Sequence, residues 1–335
     1  MKYLKQVIII VFVILLFWVF FRDFDLIKKS FIEIKKINLI YPLSFALGLW
    51  LQFYVRAYRW GLILRQYKKI KLKSMYNYTV LGYFINIFLP GRVGEAGKAI
   101  LLSRKENINS GIVFASVFLE RLIDSFMAVF IFIFTLLFIE SDSSFLLNMK
   151  KISYYLFPVF ILVFVVFYLI NSTKLNKYVE KMIILFSRLF PKKIREKVVS
   201  FLMEFVKALK LKLSFLQFVE LFLMSAFVWL MLIPFYWILM KGFNINITLL
   251  DSVIYFSILV FFAAIPTPGM AGSLDAGSKL ILTKVFGIVE KSAVAFTIVF
   301  HVIILVLNII LGLISLKSEG LTLKTIRGLD KNEVS

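Results

Sequence analysis

The sequence predicts an all-α polytopic membrane protein with about six full transmembrane helices and two re-entrant helical hairpins related as an inverted repeat. Three observations carry that expectation. Of the 335 residues, 61% are hydrophobic and the mean hydropathy is +0.91, too apolar for a water-soluble domain. The apolar residues fall into runs near the roughly 20 that a helix needs to cross a hydrocarbon core of about 30 Å. Two of the runs are interrupted by Pro-Gly-x-x-Gly followed by an acid: Pro90-Gly91-Arg92-Val93-Gly94-Glu95, and Pro268-Gly269-Met270-Ala271-Gly272 with Asp275 behind it.

Taken in order, Met1 to Lys5 precede an apolar run, Val7–Phe21, that Arg22-Asp23 closes without a small-residue cleavage site, so it reads as an uncleaved first span. Leu39–Val55 is the second span, with Arg56, Arg59 and Trp60 as interfacial anchors and a basic loop beyond them. The apolar run from Met75 stops at Pro90-Gly91, too short to cross. With its return leg it makes a re-entrant hairpin over 74–105, because broken backbone at membrane depth is tolerated only where protein or a water-filled cavity covers it. Ile112–Ile139 and Ile152–Ile170 are further spans. The segment 171–212, rich in Lys and Arg among apolar residues at helical spacing, reads as amphipathic helix on the anionic cytoplasmic leaflet. Phe215–Met240 is a span that Pro234 should kink. The second hairpin occupies 249–286, and Ala293–Leu316 is the last span. The membrane domain thus covers 1–316, with a polar cytoplasmic tail over 317–335.

The formal net charge of +21 sits in short loops beside apolar runs, a distribution that favours anionic lipid headgroups over nucleic acid. With both termini cytoplasmic, the most basic loops fall inside; only Arg22–Lys36, a loop expected outside, departs from the rule. That topology brings the first hairpin in from the cytoplasm and the second from the opposite side. This is the pattern of inverted-repeat transporters, with their sites at the midplane. The chain has no Cys and a single His, which excludes disulfides, thiolate chemistry and a multi-His metal site. Nothing calls for a cofactor.

Candidate site residues cluster around the two turns. Each turn opens a half-helix whose first amides lack intrahelical partners and carry partial positive charge, and glycines at Gly91, Gly94, Gly269 and Gly272 allow close approach to a ligand. A phosphate would suit those amides with Arg92 nearby. Glu95 and Asp275 would cap the helices or bind a cation or proton, and Asn86 would satisfy freed backbone groups. Glu120, Arg121 and Asp124 stand in mid-span, where each charge costs about 2.5–3.5 kcal/mol, so they should be paired and face the interior. They serve either as a structural ion-pair network or as part of the site. His301, in the last span, either donates a helix–helix hydrogen bond or couples transport to protons. Arg92 and Glu95 are expected beside Asp275 and Arg121 or Asp124. Gly91-x-x-Gly94-x-x-Gly97-Lys98 lacks the spacing of a nucleotide-binding loop and has Ala99 in place of Ser/Thr. Asp23-Phe24-Asp25 resembles the acidic pair of polyprenyl-sugar glycosyltransferases, but those enzymes usually have larger outer loops and a solvated interfacial charge cluster explains it better.

Asn86 with Leu89-Pro90-Gly91-Arg92-x-Gly94-Glu95, then Glu120-Arg121-x-x-Asp124, then Pro266-x-Pro268-Gly269-x-x-Gly272 together resemble the lysylphosphatidylglycerol synthase transmembrane region family of flippase-like membrane proteins, over nearly the whole chain. The resemblance implies the translocation half of such a system, without the soluble aminoacyl-transferase half found in its best-known member. Two departures, Asp275 where the family usually has Glu and His301 where Arg is common, leave the substrate open. The expected function is translocation of a phospholipid, an aminoacyl-phospholipid or a polyprenyl-phosphate lipid between leaflets of a prokaryotic cell membrane, facilitated or coupled to a proton or cation, with no enzymatic activity. The alternatives are a membrane-embedded glycosyltransferase or lipid-modifying enzyme, or a non-transporting accessory subunit; a homo-oligomer is compatible with all of these.

Overall fold

The computed structural model describes residues 24–89, 92–137, 215–263, 265 and 267–323, with scattered residues between 147 and 203. The expected first span, Asp23, Pro90, Gly91 and Pro266 lie outside the described residues, as do most of 152–170, most of 171–212 and the tail beyond 323. Among the described residues the regular elements are helices: α1 (Phe24–Lys36), α2 (Ile40–Leu64), α3 (Leu72–Phe88), α4 (Val93–Glu106), α5 (Ser110–Leu137), α6 (Phe215–Leu230), α7 (Ile233–Gly242), α8 (Leu249–Ala263), α9 (Ser273–Leu280) and α10 (Glu290–Ser318). Among the described residues, two stretches, Val219–Gly242 and α10, are long and apolar enough to cross a membrane, and the bent pair α1–α2 is a third if counted as one span.

Arg22–Lys36, expected as a loop, is helical over its described part. Helix α1 meets α2 at 89°, and the turn between them is marked by Asn38, whose side chain accepts from the Ile40 N–H at 3.0 Å. Ser30 of α1 is fully buried and donates to the Lys291 carbonyl of α10. Glu33 pairs with Lys291 at 3.0 Å, and the hydrogen bond from that ammonium holds its carboxyl below the ordinary range. Helix α2 does not end near Val55 but continues to Leu64, because the residues after Trp60 are again apolar and pack inward. The kink attributed to Pro234 falls slightly earlier, at Met231 and Leu232. A proline disturbs the turn before it, and Pro234 itself sits in the first turn of α7, where its missing N–H is not needed.

The two Pro-Gly motifs each end one helix and start another that folds back along it. In the first hairpin α3 and α4 approach so closely that a Cβ on Gly94 would overlap the Gly82 carbonyl. In the second, Gly277 of α9 lies flat against the Phe262 ring of α8. Helix α9 passes into one π-helical turn, Ile281–Val285, before the chain reaches α10.

Helix α10 is the axis on which the hairpins are arranged. Its first half packs against the second hairpin: Lys279 pairs with Glu290 at 2.6 Å, Ser278 bonds Thr297, and Asp275 meets His301. Its second half packs against the first hairpin: Gly312 lies under the Phe84 ring, and Asn77 donates to Ser318 and to Glu319 just past the helix end. Between them, at Leu305, Gly269 of one tip comes against Ile87 of the other. An aromatic core of Phe45, Tyr236, Tyr255, Phe296 and Phe300 backs the second hairpin, and a separate core containing Phe53, Trp60, Tyr78 and Phe84 backs the first. Since a Cβ on Gly312 would run into the Phe84 ring, Gly312→Leu should push α10 off α3 and lower the melting temperature of the purified protein. An unchanged melt would show that this contact does not hold the first hairpin in place.

Candidate functional site

The first half-site is a network of ions between helices α2, α4, α5 and α6. Arg56 and Arg59 lie one turn apart on α2, Glu95 and Lys98 one turn apart on α4, and Glu120, Arg121 and Asp124 within one turn of α5, so each helix presents its charges on one face. Arg59, fully buried, donates to Asp124 Oδ1 at 2.5 Å and to Glu120 Oε1 at 3.1 Å. Lys98, also buried, reaches Glu120 Oε2 at 2.5 Å with its ammonium 4.2 Å over the Trp60 ring. Arg121 is placed 3.3 Å from Asp124, 3.5 Å from Glu120 and 3.7 Å from Glu95. Arg56 lies 3.7 Å from Asp124, and Trp229 Nε1 donates to the same carboxylate at 3.2 Å.

Burial on this scale is tolerable only because each acid meets more than one cation. With Arg92, 4.0 Å from Glu95, the cations Arg56, Arg59, Arg92, Lys98 and Arg121 nonetheless outnumber Glu95, Glu120 and Asp124 by two charges. The Nε groups of Arg56, Arg59 and Arg121 are buried without a hydrogen-bond partner. The network is not uniformly closed. Arg59 and Glu120 are sealed, while the side chains of Arg121 and Glu95 keep 26% and 23% of their surface and Arg92 keeps 43%. The open edge is therefore the one carrying Arg121, Glu95 and Arg92, at the hairpin tip.

This arrangement corrects the reading of Arg56, Arg59 and Trp60 as interfacial anchors. Arg59 and Trp60 are wholly inside, and Trp60 donates to Ser116 at 2.9 Å. The signal for them was present in the apolar Gly61-Leu62-Ile63-Leu64 that follows, which keeps the helix going and turns both side chains into the bundle. Lys98, set aside with the failed nucleotide-loop motif, had a comparable signal: it lies three residues from Glu95 and is followed by Ala99-Ile100-Leu101-Leu102.

At the first tip Arg92 adopts a left-handed conformation, φ 57°, at the start of α4, and its guanidinium donates to the Ala263 carbonyl near the second tip at 3.2 Å. Asn86 accepts from the Gly94 N–H at 2.7 Å. At the second tip Gly269 and Gly272 have φ of 57° and 79°, and Asp275 accepts from the Gly272 N–H at 2.8 Å, capping its own helix. Two of the tip amides expected to dock a phosphate are thus already paired, and the positive character of the site comes from side chains. Asp275 is engaged by His301 Nδ1 at 2.6 Å rather than by Glu95. Glu95 and Asp275 both occupy the third position of their return helices, and each is met by a base from the following long helix, Arg121 in one case and His301 in the other. Gly91 lies outside the described residues, and Asp25 stands in the first turn of α1, exposed.

The sequence matches the family model described as the lysylphosphatidylglycerol synthase TM region over residues 6–312. No curated protein and no solved structure matches it.

Proposed function

Because the chain belongs to the lysylphosphatidylglycerol synthase TM region family, a family of membrane regions related to lipid handling, we propose that it moves a lipid with an anionic or phosphate-bearing headgroup between the leaflets of a cell membrane. The observation that supports this reading best is the ion network in which cations outnumber acids, open at the point where the two hairpin tips meet. Arg121 and Arg92, with Arg56 behind them, hold the phosphate. Glu95 and Asp124 position those guanidiniums and offset part of their charge, and the acyl chains remain in lipid.

The arrangement along α10 supports the further reading that the hairpins are re-entrant and form an inverted repeat. A helix of 29 residues is about 43 Å long, the thickness of a bilayer with its headgroups. The second hairpin follows the first half of α10 and the first hairpin its second half, with the tips meeting near Leu305 at its middle. A headgroup at that meeting point is equidistant from both surfaces, which is where alternating access requires a site. In this topology both termini are cytoplasmic, and movement is facilitated or coupled to an ion.

Reconstitution into vesicles carrying fluorescent or aminoacylated phospholipid tests the proposal. Movement between leaflets should be lost in Arg121→Ala and kept in Asp25→Asn. Formation of a new lipid product without movement, abolished by Asp25→Asn, would replace this reading by that of a lipid-modifying enzyme.

A further inference from the structure

His301 is the chain's sole histidine, and both of its ring nitrogens face acceptors: Nδ1 is 2.6 Å from Asp275 Oδ1 and Nε2 is 3.1 Å from the Gly269 carbonyl oxygen. A carbonyl cannot donate, and a neutral imidazole has one N–H. The contact set is satisfied only when the pair holds one proton more than a neutral imidazole beside a carboxylate, either as imidazolium and carboxylate or with that proton on the Asp275 oxygen. Asp275 Oδ2 is already occupied by the Gly272 N–H, so the extra proton has one place to act, along the line Asp275–His301–Gly269.

That line fastens the tip of the second hairpin at both its ends. Gly269 lies in the Pro268–Met270 turn and Asp275 in the first turn of α9, while His301 belongs to α10. The Gly269 end of this turn is the part that rests on Ile87 of the first hairpin. Other groups facing this stretch of α10 give the proton no competing partner. Helix α2 presents Phe45 and α7 presents Tyr236, both against Phe300; α3 presents Phe84 and Ile87; α8 presents Tyr255, whose hydroxyl is bound to Ser278. Glu33 of α1 and Lys279 of α9 act at the far start of α10, where they hold Lys291 and Glu290.

We propose that Asp275 and His301 form a proton-binding site that latches the second hairpin tip onto the first, and that release of one proton unlatches it and opens the headgroup site. This rests on the translocation reading for its purpose and names the proton as the coupling ion. When the proton leaves, one ring nitrogen is left with its lone pair against an oxygen, either the Gly269 carbonyl or the Asp275 carboxylate. Repulsion then replaces a hydrogen bond, and the turn moves off. The transferred species is a proton alone, so no other reactant is needed.

The chain lacks cysteine, so a spin-label pair introduced by Phe88→Cys and Met270→Cys reads the separation of the tips directly in lipid nanodiscs. The proposal expects a single short distance at about pH 5.5 and loss of most of that population at about pH 9, on either side of the range in which imidazoles titrate. His301→Arg, a permanent cation with several donors, should keep the short distance at both pH values; Asp275→Asn should remove the pH dependence. A wild-type distance that does not change with pH overturns the proposal whatever the variants do. Because the distance is read without any lipid movement, that failure leaves translocation standing. A pH-dependent latch in a protein that moves no lipid would instead remove the translocation reading.

Discussion

Arg59→Met should destabilise the protein by about 3–5 kcal/mol, the range found when one partner of a buried ion pair is removed. Arg59 is the sealed centre of the network, and both of its acids lie on α5: Asp124 at 2.5 Å and Glu120 at 3.1 Å. Truncation leaves Lys98 and Arg121 to carry Glu120, while Asp124 keeps Arg56 at 3.7 Å and Arg121 at 3.3 Å, neither in direct hydrogen-bond contact. The melting temperature of the purified protein measures the loss. Adding Asp124→Asn should restore part of it, since the buried carboxylate that has lost its 2.5 Å hydrogen-bonded cation is then neutral. If Arg59→Met melts like the wild type, the network is not the structural keystone that its burial implies.

Gly94→Leu should be comparably damaging, by a different route. The obstacle to a side chain there is the Gly82 carbonyl together with the Asn86 side chain, and a carbonyl in a helix cannot rotate away. Overpacking typically costs about 1–3 kcal/mol, and more where backbone must move. Here α4 has to leave α3, carrying Glu95 and Lys98 away from Arg121 and Glu120. Stability and lipid movement should therefore fall together. Gly61→Ala is the contrast: its new methyl would meet Met75 at an ordinary 3.7 Å in the interior of α2, where alanine is favoured over glycine by up to about 1 kcal/mol. That variant should melt at or above the wild-type temperature. Equal loss in both variants would mean that the hairpin has no special intolerance.

Much of this was written plainly in the chain because breaking a helix in an apolar run requires proline and glycine, and these residues are conspicuous there. The helices on either side of the two breaks run from Leu72 to Glu106 and from Leu249 to Val285. Glu120, Arg121 and Asp124 were legible for a related reason, since a charge in mid-span needs a partner. The identity of the partners was not legible. Arg59 follows a run of the right length for one span, and at such a position a guanidinium that snorkels to the surface and one that turns inward have the same sequence. Tertiary packing against Glu120 and Asp124 decides between them. Helix α1 was missed because its charges resemble those of a loop, and the buried Ser30 contact that fixes it lies more than 200 residues away. The kink was foreseen at Pro234 but falls in the turn before it, as the missing N–H and the ring's clash with the preceding turn require.

The central claim is that two hairpins enter from opposite sides and meet around a headgroup site. Single cysteines introduced by Ser110→Cys, just after the first hairpin, and by Val289→Cys, just after the second, test it in sealed vesicles of known orientation. Both positions are exposed. A membrane-impermeant maleimide should label Ser110→Cys from the cytoplasmic side and Val289→Cys from the opposite side; labelling of both from the same side would contradict the account.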